Sequence, residues 1–382
     1  MKKGRISAAR KALAIAVAIG SALLCAWPMN SAASASSSQD QRLGGRARPV
    51  ITLQWPQFFG AGNEKSRDSA PRVLIPGGQA IGVAIRTQGV LVVGAGDNGR
   101  DSLREGDMIL SVNGVPLLES AMLTEAVNAA QGQPLSLRIS RSGQESDLLL
   151  TPRYDESSRA WRLGVWVRDS TAGVGTLTYY DPAMGAYGAL GHAITDSDTG
   201  SLLPVREGAL MQAEIVDVRR GQRGAPGELR GSFLREQVTL GTVLVNTVFG
   251  IYGHLDAPTA SALYPEGLPT ASRGQVHTGA ATILSTIAGQ EACEYAIEIT
   301  QVSRQSAAAP KSMVLRVTDE RLLSSTGGIV QGMSGSPILQ DGRIVGAVTH
   351  VFVSDPTQGY GVFIDWMLQQ SDALSAQQSE AA

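Results

Sequence analysis

The chain has 382 residues, a formal charge of −2, 44 glycines and only 5% aromatic residues. That length is enough for two or three domains with buried cores. Beyond the first residues no cluster of lysine and arginine could neutralise a phosphate track, so no nucleic-acid partner is predicted. Abundant glycine with few aromatic residues is typical of short strands joined by tight turns. The composition therefore predicts a mainly β globular protein.

Residues 1–35 have the features of a signal peptide or signal anchor. Five of the first eleven residues are basic, and an uncharged apolar run of 16 residues extends from Ala12 to Trp27. Ala33-Ser34-Ala35 then has the small-x-small pattern that signal peptidase accepts. Because a membrane span needs roughly 20 apolar residues, cleavage after export is favoured over anchoring. Without the five basic residues, 27 basic and 34 acidic residues remain, a formal charge of −7.

The cysteine and histidine content limits the chemistry that the exported chain can perform. Cys25 lies in the leader, so Cys293 is the single remaining thiol and no intramolecular disulfide is predicted. Cys293 enters a β-like run, where we expect a buried, small apolar residue rather than a catalytic thiol. The four histidines lack the spacing of a metal site. Neither a metal ion nor another cofactor is predicted.

Two changes of composition divide the next part of the chain. Residues 36–72 are rich in Ser, Gln, Arg and Gly, which predicts a tether. From residue 73 to residue 153, short apolar runs alternate with turn signals such as Asn113-Gly114 and Ser142-Gly143. A helical pattern covers Ser120 to Gln131 within this region. The region is therefore predicted to be a small domain of mixed α and β structure.

The order of these elements, with the sequence REGDMILSVNG from Arg104 to Gly114, resembles a PDZ domain. In that family the segment that corresponds to Ile81, Gly82 and Val83 presents backbone amides to the terminal carboxylate of a bound peptide. The resemblance therefore implies that residues 73–153 bind peptide C-termini. The alternative is that another part of the protein fills this groove.

The pattern of residues 160–370 predicts a second domain, a β-barrel or β-sandwich, because many short strand-like runs alternate with glycine turns. The strand-like runs are 175–180, 211–218, 238–248, 280–287, 295–302, 313–317, 344–352 and 361–364. The last residues, 371–382, are predicted to form a flexible tail.

Two short segments of this second domain carry residues that could perform chemistry. His192 lies among small residues in LGHAI, from Leu190 to Ile194. The segment GGIVQGMSGSPI, from Gly327 to Ile338, resembles the nucleophile loop of chymotrypsin-like serine peptidases. Glycines allow such a loop to turn so that the amides of Gly332 and Ser334 converge on one oxyanion. Ser334 is then the candidate nucleophile, and His192 is the candidate general base and acid.

The carboxylate that would hold the imidazole of His192 has more than one candidate. In chymotrypsin-like folds the acid usually belongs to the same half as the histidine, and Asp196 and Asp198 lie close to His192 in sequence. A Ser-Lys dyad would require Lys65 or Lys311, of which Lys311 is expected to be solvated at a polar loop edge. A different class of function is a non-catalytic scaffold, whose PDZ domain binds membrane-protein tails while the β-domain only docks.

The chain resembles the stage IV sporulation protein B (SpoIVB) peptidases of endospore-forming bacteria. The resemblance lies in the PDZ-like region, in the LGHAI and GGIVQGMSGSPI segments and in the sequence GAVTHVFV from Gly346 to Val353. The resemblance implies a PDZ domain followed by a chymotrypsin-like serine endopeptidase. It also implies that the triad acid is Asp319, 15 residues before Ser334. The strand from Ala347 to Phe352 is the predicted edge on which a substrate lies as an added strand.

The same resemblance implies a cellular setting. Members of this family are exported from the forespore into the space between its two membranes. They cleave a membrane-associated regulatory protein, which leads to activation of a late sigma factor, and they also cleave themselves. The expected partners are therefore a protein substrate at a membrane surface and the enzyme itself, through self-cleavage.

Overall fold

The structure is a computed structural model that describes residues 71–96, 103–232, 239–257, 261 and 263–381. The predicted leader and almost all of the predicted tether lie outside the described residues. The described chain is mainly β, as the composition predicts.

The strands up to residue 212 are β1 (Val73–Pro76), β2 (Ala80–Ala95), β3 (Met108–Val112), β4 (Val115–Pro116), β5 (Leu135–Arg141), β6 (Gln144–Leu150), β7 (Arg153–Asp155), β8 (Ala160–Arg162), β9 (Val165–Asp181), β10 (Ala186–Ala189) and β11 (Val205–Gln212). The later strands are β12 (Glu214–Arg219), β13 (Glu228–Ser232), β14 (Thr239–Thr247), β15 (Gly250–Leu255), β16 (Leu268–Pro269), β17 (Gly279–Ser285), β18 (Cys293–Val302), β19 (Met313–Val317), β20 (Pro337–Gln340), β21 (Arg343–Phe352) and β22 (Asp355–Phe363). The helices are α1 (Ser120–Ala129), α2 (Glu320–Thr326) and α3 (Ile364–Ala381).

The strands β17 to β22 close into a barrel, which we call the second barrel. All its neighbouring strands are antiparallel. Alternate residues point inward, as a period of two requires, and Ile283, Ile297 and Leu315 are at most 2% exposed. Because one continuous stretch of chain builds this barrel, its sequence pattern predicted most of its strands.

A further six strands pair in a ring, which we call the first barrel. The pairings run from β2 to β9, β10, β15, β14 and β11, and β11 returns to β2. Their inward residues form a separate core that includes Ile81, Val83, Tyr187 and Ile251. Two barrels in one chain confirm the chymotrypsin-like type of fold that the sequence predicted.

The strands β2 and β9 are 16 and 17 residues long and belong to two units at once. Residues 80–86 of β2 pair with residues 170–176 of β9 inside the first barrel. Residues 91–95 pair with residues 165–168 beyond the barrel. We call residues 90–168 the PDZ-like unit, which contains β3 to β8 and α1 around its own buried core.

The structure corrects the predicted order of the domains. The sequence predicted a PDZ domain at 73–153 ahead of a peptidase domain at 160–370, but β1 pairs with β9 and β16, and the first half of β2 lies in the first barrel. The peptidase therefore begins before the PDZ-like unit and resumes after it. The sequence pattern did not show this insertion because it does not reveal strand partners, and only the pairing with β9 and β11 places the first half of β2 in the barrel.

The C-terminal segment also differs from the prediction. Residues 371–381 continue α3 and are not a flexible tail. Ser371 is 1% exposed, Leu374 packs against the second barrel's core, and Asp372 accepts a hydrogen bond from Arg72 at 2.7 Å. These contacts hold the helix on the protein surface. Within the described part of the chain, no helix has the length and apolar character needed to cross a membrane.

Candidate active site

The segment from Gly327 to Ser336, which precedes β20, forms the predicted glycine-rich loop around Ser334. Gly332 and Gly335 have φ angles of 98° and 99°, which favour glycine. A Cβ atom on Gly335 would lie 2.2 Å from the carbonyl oxygen of Thr176, so this position also requires glycine for a close approach. The amide of Ser336 donates to the carbonyl of Met333 at 3.0 Å and closes the turn. The loop therefore presents Ser334 at a tight turn against the first barrel.

Two hydrogen bonds fix the backbone on either side of Gly332. The amide of Leu229 in β13 donates to the carbonyl of Gln331 at 2.8 Å, and the hydroxyl of Thr176 in β9 donates to the carbonyl of Gly332 at 2.8 Å. Because a trans peptide points its N–H away from its carbonyl, the bond to Gln331 turns the Gly332 amide in the opposite direction. Among the described residues, the amides of Gly332 and Ser334 have no hydrogen-bond acceptor. They are free to donate to an oxyanion.

His192 approaches the same part of the second barrel from a loop that follows β10. A Cβ atom on the preceding Gly191 would lie 3.2 Å from the Thr349 side chain of β21. The ring of His192 lies 5.0 Å from the ring of His350, the next residue of β21. The hydroxyl of Ser334 donates to the carbonyl of Thr349 at 2.7 Å. The structure thus brings His192 and Ser334 to one short segment of β21.

The hydroxyl of Ser334 and the imidazole of His192 do not share a hydrogen bond in the described structure. Nδ1 of His192 instead lies 2.8 Å from the carbonyl oxygen of Ala193. Because a carbonyl only accepts, this contact requires the proton on Nδ1 and leaves Nε2 as the basic nitrogen. That tautomer is the one that a general base for Ser334 needs. A serine hydroxyl can redirect its hydrogen bond by rotation about single bonds alone.

Both imidazoles favour the neutral state. Burial lowers the pKa of His192 below its ordinary value of 6.5, and the hydrogen bond to Ala193 offsets part of this effect. Partial desolvation, the neighbouring His192 and the ammonium of Lys311 lower the pKa of His350, although part of its side chain is exposed. A neutral His192 can accept a proton from serine at neutral pH, whereas a cationic one cannot.

Asp319, the acid that the family resemblance implies, lies at the N-terminus of α2. Its carboxylate accepts the backbone amide of Arg321 at 2.9 Å and forms an ion pair with that side chain at 2.8 Å. It also accepts the amide of Ala296 at 3.2 Å. The hydrogen bonds from Arg321 contribute most to holding the pKa of Asp319 well below its usual range. The carboxylate is therefore ionised, and it caps the helix that leads to the Ser334 loop.

The two alternative acids also have other partners. Asp196 has a fully buried side chain, accepts the amides of Asp198 and Thr199 at 3.0 Å and forms an ion pair with Arg168. Asp198 binds the same arginine at 2.9 Å. Across the described ranges, none of the three aspartates hydrogen-bonds to His192. The assignment of Asp319 as the triad acid stays a prediction.

The predicted peptide-binding segment has a different position from the one expected. Ile81, Gly82 and Val83 lie in β2 inside the first barrel, and all three are buried. Gly82 pairs with Val174 on one side and with Met211 on the other. Because both edges of the strand are occupied, these residues are not available to a peptide carboxylate, and the structure contradicts this prediction. The segment therefore lies in the first barrel and outside the PDZ-like unit.

The predicted substrate edge, Ala347 to Phe352, is only partly open. Ala347 pairs with Pro337, and Val348 exchanges hydrogen bonds with the Ser334 loop through Ser336 and Gly335. From His350 onward, no strand of the described chain pairs with the edge that faces the loop. This shorter segment is where an added strand could lie.

Several residues of the site escaped sequence reasoning, and the predicted burial of Cys293 was wrong. Thr176, Leu229 and His350 belong to strands with ordinary β patterns, and only their long-range partners mark them. Cys293 is exposed and not buried, at the start of β18. The ammonium of Lys311 lies over the ring of Tyr360, 4.6 Å from its centre. Among the described residues, no group of His, Cys, Asp and Glu is arranged to hold a metal ion.

A serine on a glycine-rich loop of one β-barrel and a histidine on a loop of the other define a serine peptidase of chymotrypsin-like type. The SpoIVB peptidase family, S55, has a model that matches residues 159–368. The chain belongs to this family. The matched residues begin at the end of the PDZ-like unit, so β1 and β2 of the peptidase lie outside the match.

Among solved structures, the chain is similar to the PDZ domain of the SdrC-like protein Lmo2051 from Listeria monocytogenes, at 16% identity over 21% of this chain and 87% of that chain, with a TM-score of 0.20. It is similar to the active form of the Rv3671c protease from M. tuberculosis at 14% identity, over 52% of this chain and 73% of that chain, with a TM-score of 0.28. The inactive form gives 13% identity, 52% and 82% coverage and a TM-score of 0.27. No curated protein matches the chain. The two-barrel fold is defined by the strand pairings within the chain itself.

Proposed function

We propose that the protein is an exported serine endopeptidase that cleaves a membrane-associated regulatory protein and itself, with Ser334 as nucleophile and His192 as general base. One observation carries the catalytic part of this proposal. The segment Val348 to His350 of β21 contacts both the Ser334 loop and the His192 loop, and the Gly332 amide of the Ser334 loop has no acceptor among the described residues. A hydrolytic serine needs the nucleophile, the general base and the oxyanion donor close together.

The reaction follows from the groups already described. The Ser334 hydroxyl turns from the Thr349 carbonyl towards Nε2 of His192, which takes its proton as Oγ bonds to the scissile carbonyl carbon. The amides of Gly332 and Ser334 stabilise the negative charge on the former carbonyl oxygen. His192 then gives the proton to the leaving amine, and the acyl group stays on Ser334. Water, activated by the same imidazole, releases the acid and restores the serine.

The cellular part of the proposal rests on family membership and on the leader. SpoIVB peptidases act in sporulation signalling between the two forespore membranes, and residues 1–35 have the composition of an export signal. We propose the same compartment for this chain, a membrane-associated regulatory protein as its substrate, and late sigma-factor activation as the outcome. Self-cleavage would fall in residues 36–72, which are rich in Ser, Gln, Arg and Gly and which the sequence predicts as a tether.

The proposed peptidase activity is tested by Ser334→Ala in the full chain. Cleavage of a casein-type protein substrate and of the chain itself is expected to stop in this variant. The matched control is Ser324→Ala on the exposed face of α2, which is expected to cut at the rate of the unmodified protein. Retained proteolysis in Ser334→Ala overturns the proposal and leaves the scaffold function as the alternative.

The third triad member is tested separately, with Asp319→Asn and Asp196→Asn. The true acid loses about ten-thousandfold in kcat when its charge is removed, because the imidazole then takes the wrong tautomer. A residue that only caps or pairs loses far less.

A further inference from the structure

The loop from Gly191 to Leu203, here called the histidine loop, carries His192 and lies between the first barrel and the PDZ-like unit. On the barrel side it is held by Asn246 of β14, which is 7% exposed. The side chain of Asn246 accepts the amide of Ile194 at 2.9 Å and donates to the carbonyls of Ile194 and Leu203 at 2.7 Å and 3.0 Å. Both ends of the loop are therefore attached to one barrel strand.

On its other side the histidine loop packs against the PDZ-like unit. Leu203 shares a buried cluster with Leu91 and Met108, which are 1% and 8% exposed. Ile194, two residues after His192, packs against the same cluster. Leu91 belongs to the part of β2 beyond the barrel, and Met108 begins β3. An apolar contact of this kind resists movement of the loop relative to the unit.

An ion pair joins the same two parts. Arg168 lies in β9 opposite Leu91, at the edge of the PDZ-like unit, and forms an ion pair with Asp196. The Asp196 side chain is 0% exposed, and its other oxygen accepts the amides of Asp198 and Thr199 at 3.0 Å. The buried carboxylate thus shapes the turn of the histidine loop, while the compensating charge comes from the PDZ-like unit. Loss of Arg168 would remove the charge that compensates the buried carboxylate of Asp196.

We propose that Asp196 and Arg168 are positioning residues for His192, and that the PDZ-like unit controls the placement of the general base through them. The inference rests on the proposed function only in assigning His192 as that base. Asp196 acts on His192 through the backbone of residues 193–195, and Arg168 acts through Asp196. A shift of the β9 edge within the PDZ-like unit would move the histidine loop with it. The PDZ-like unit then contributes to catalysis by helping to place His192.

The first test is kinetic and uses Arg168→Met, Asp196→Asn and the double variant in the full chain. Each single change is expected to lower kcat about 10- to 100-fold with KM little changed, because a small misplacement of a catalytic group costs about this much. The double variant is expected to be no slower than the slower single variant, since both changes break the Arg168–Asp196 pair and the second partner of Arg168, Asp198, is half-exposed. The matched control is Arg138→Met, which breaks the exposed Arg138–Asp147 pair of the same unit and is expected to leave kcat unchanged.

Two kinetic results would overturn the inference. If Asp196→Asn loses about ten-thousandfold while Arg168→Met is unaffected, Asp196 is the triad acid and not a positioning residue. If the two losses multiply in the double variant, the residues act independently. Arg168→Lys keeps the charge at this position and is expected to recover most of the activity, which separates a positioning effect from misfolding.

The second test does not depend on turnover. The imidazole signal of His192 is recorded by NMR in protein labelled at histidine, and it is assigned by its loss in His192→Gln. Arg168→Met and Asp196→Asn are expected to shift this signal, whereas Arg138→Met leaves it in place. An unchanged signal in both variants refutes the positioning role. The signal is observed without substrate. An unchanged signal therefore refutes only the positioning role, whereas retained proteolysis in Ser334→Ala refutes the proposed peptidase activity.

Discussion

The two barrels hold their active-site loops in different ways. The second barrel is built from one uninterrupted stretch, residues 279–363, and its Ser334 loop is held by short-range turns and by direct bonds to Thr176 and Leu229. The first barrel is divided between residues 80–86 and later strands by the PDZ-like unit, and its histidine loop is held partly by that unit. The nucleophile is therefore fixed within the peptidase, while the position of the base depends on an inserted unit.

The largest effect is expected from replacing His192, the general base that the first barrel contributes. His192→Gln is expected to lower kcat about a millionfold, as loss of the base does in serine peptidases, while folding is retained. Rates of peptide hydrolysis measure this effect. His277→Gln, which changes an exposed histidine paired with Asp341, serves as control and is expected to keep full activity. A small loss in His192→Gln would remove the first barrel from the chemistry.

A smaller effect is expected from the bond that joins the barrels behind the oxyanion hole. Thr176→Val removes the hydroxyl that holds the Gly332 carbonyl, and it is expected to lower kcat up to about 100-fold, less than the loss of a direct oxyanion donor. Binding of a peptidyl boronate should weaken in parallel, whereas KM for a peptide should change little. Thr176→Ser keeps the hydroxyl and is expected to remain close to the unmodified enzyme. Equal rates in Thr176→Val and Thr176→Ser would show that this bond does not support the site.

Asp319 distinguishes local support in the second barrel from a direct role at His192. Its carboxylate caps α2, so Asp319→Ala is expected to reduce the free energy of unfolding by about 1 kcal/mol. Asn can still cap, and the observed contacts predict a loss of kcat below about tenfold for Asp319→Asn. Thermal unfolding and peptide hydrolysis check the two effects. If Asp319→Asn lowers kcat as much as Asp319→Ala does, the result would instead support the triad role that the family resemblance implies.

The smallest expected effect is a shift in pH dependence. Because burial lowers the pKa of His192, the neutral, active form persists to lower pH than for a free imidazole. Activity should therefore fall with acidification at a midpoint below 6.5, the ordinary histidine value. The measurement is kcat/KM of the unmodified enzyme against pH. A midpoint above 6.5 would require an anionic partner beside His192 that the described contacts lack.

The Ser334 loop was predictable because its signal is local. Glycines at 332 and 335 and a serine between them specify a tight turn with exposed amides, and the structure has positive φ angles at both glycines. The same holds for the strands of the second barrel, where the period-two pattern coincides with continuous chain. In these regions, residues that are close in sequence were sufficient to predict the structure.

The misassigned segment, Ile81 to Val83, shows where such reasoning fails. An apolar-glycine-apolar sequence suits a carboxylate-binding loop, but it suits a buried barrel strand equally well, and only the pairing with β9 and β11 separates the two. The role of Asp196 was hidden for a similar reason. Its ion-pair partner Arg168 is 28 residues away in sequence, so closeness to His192 alone could not separate a triad acid from a support for the loop.

The long strands β2 and β9 make the PDZ-like unit an extension of one barrel hairpin. Arg86 and Ser170 are direct partners in the ladder, and the next residues, Thr87 and Asp169, are joined by a hydrogen bond of 3.1 Å. The two ends of the inserted chain therefore meet at the width of an ordinary β-turn. A two-residue turn between Thr87 and Asp169 would therefore be enough to close the hairpin of the first barrel without the PDZ-like unit.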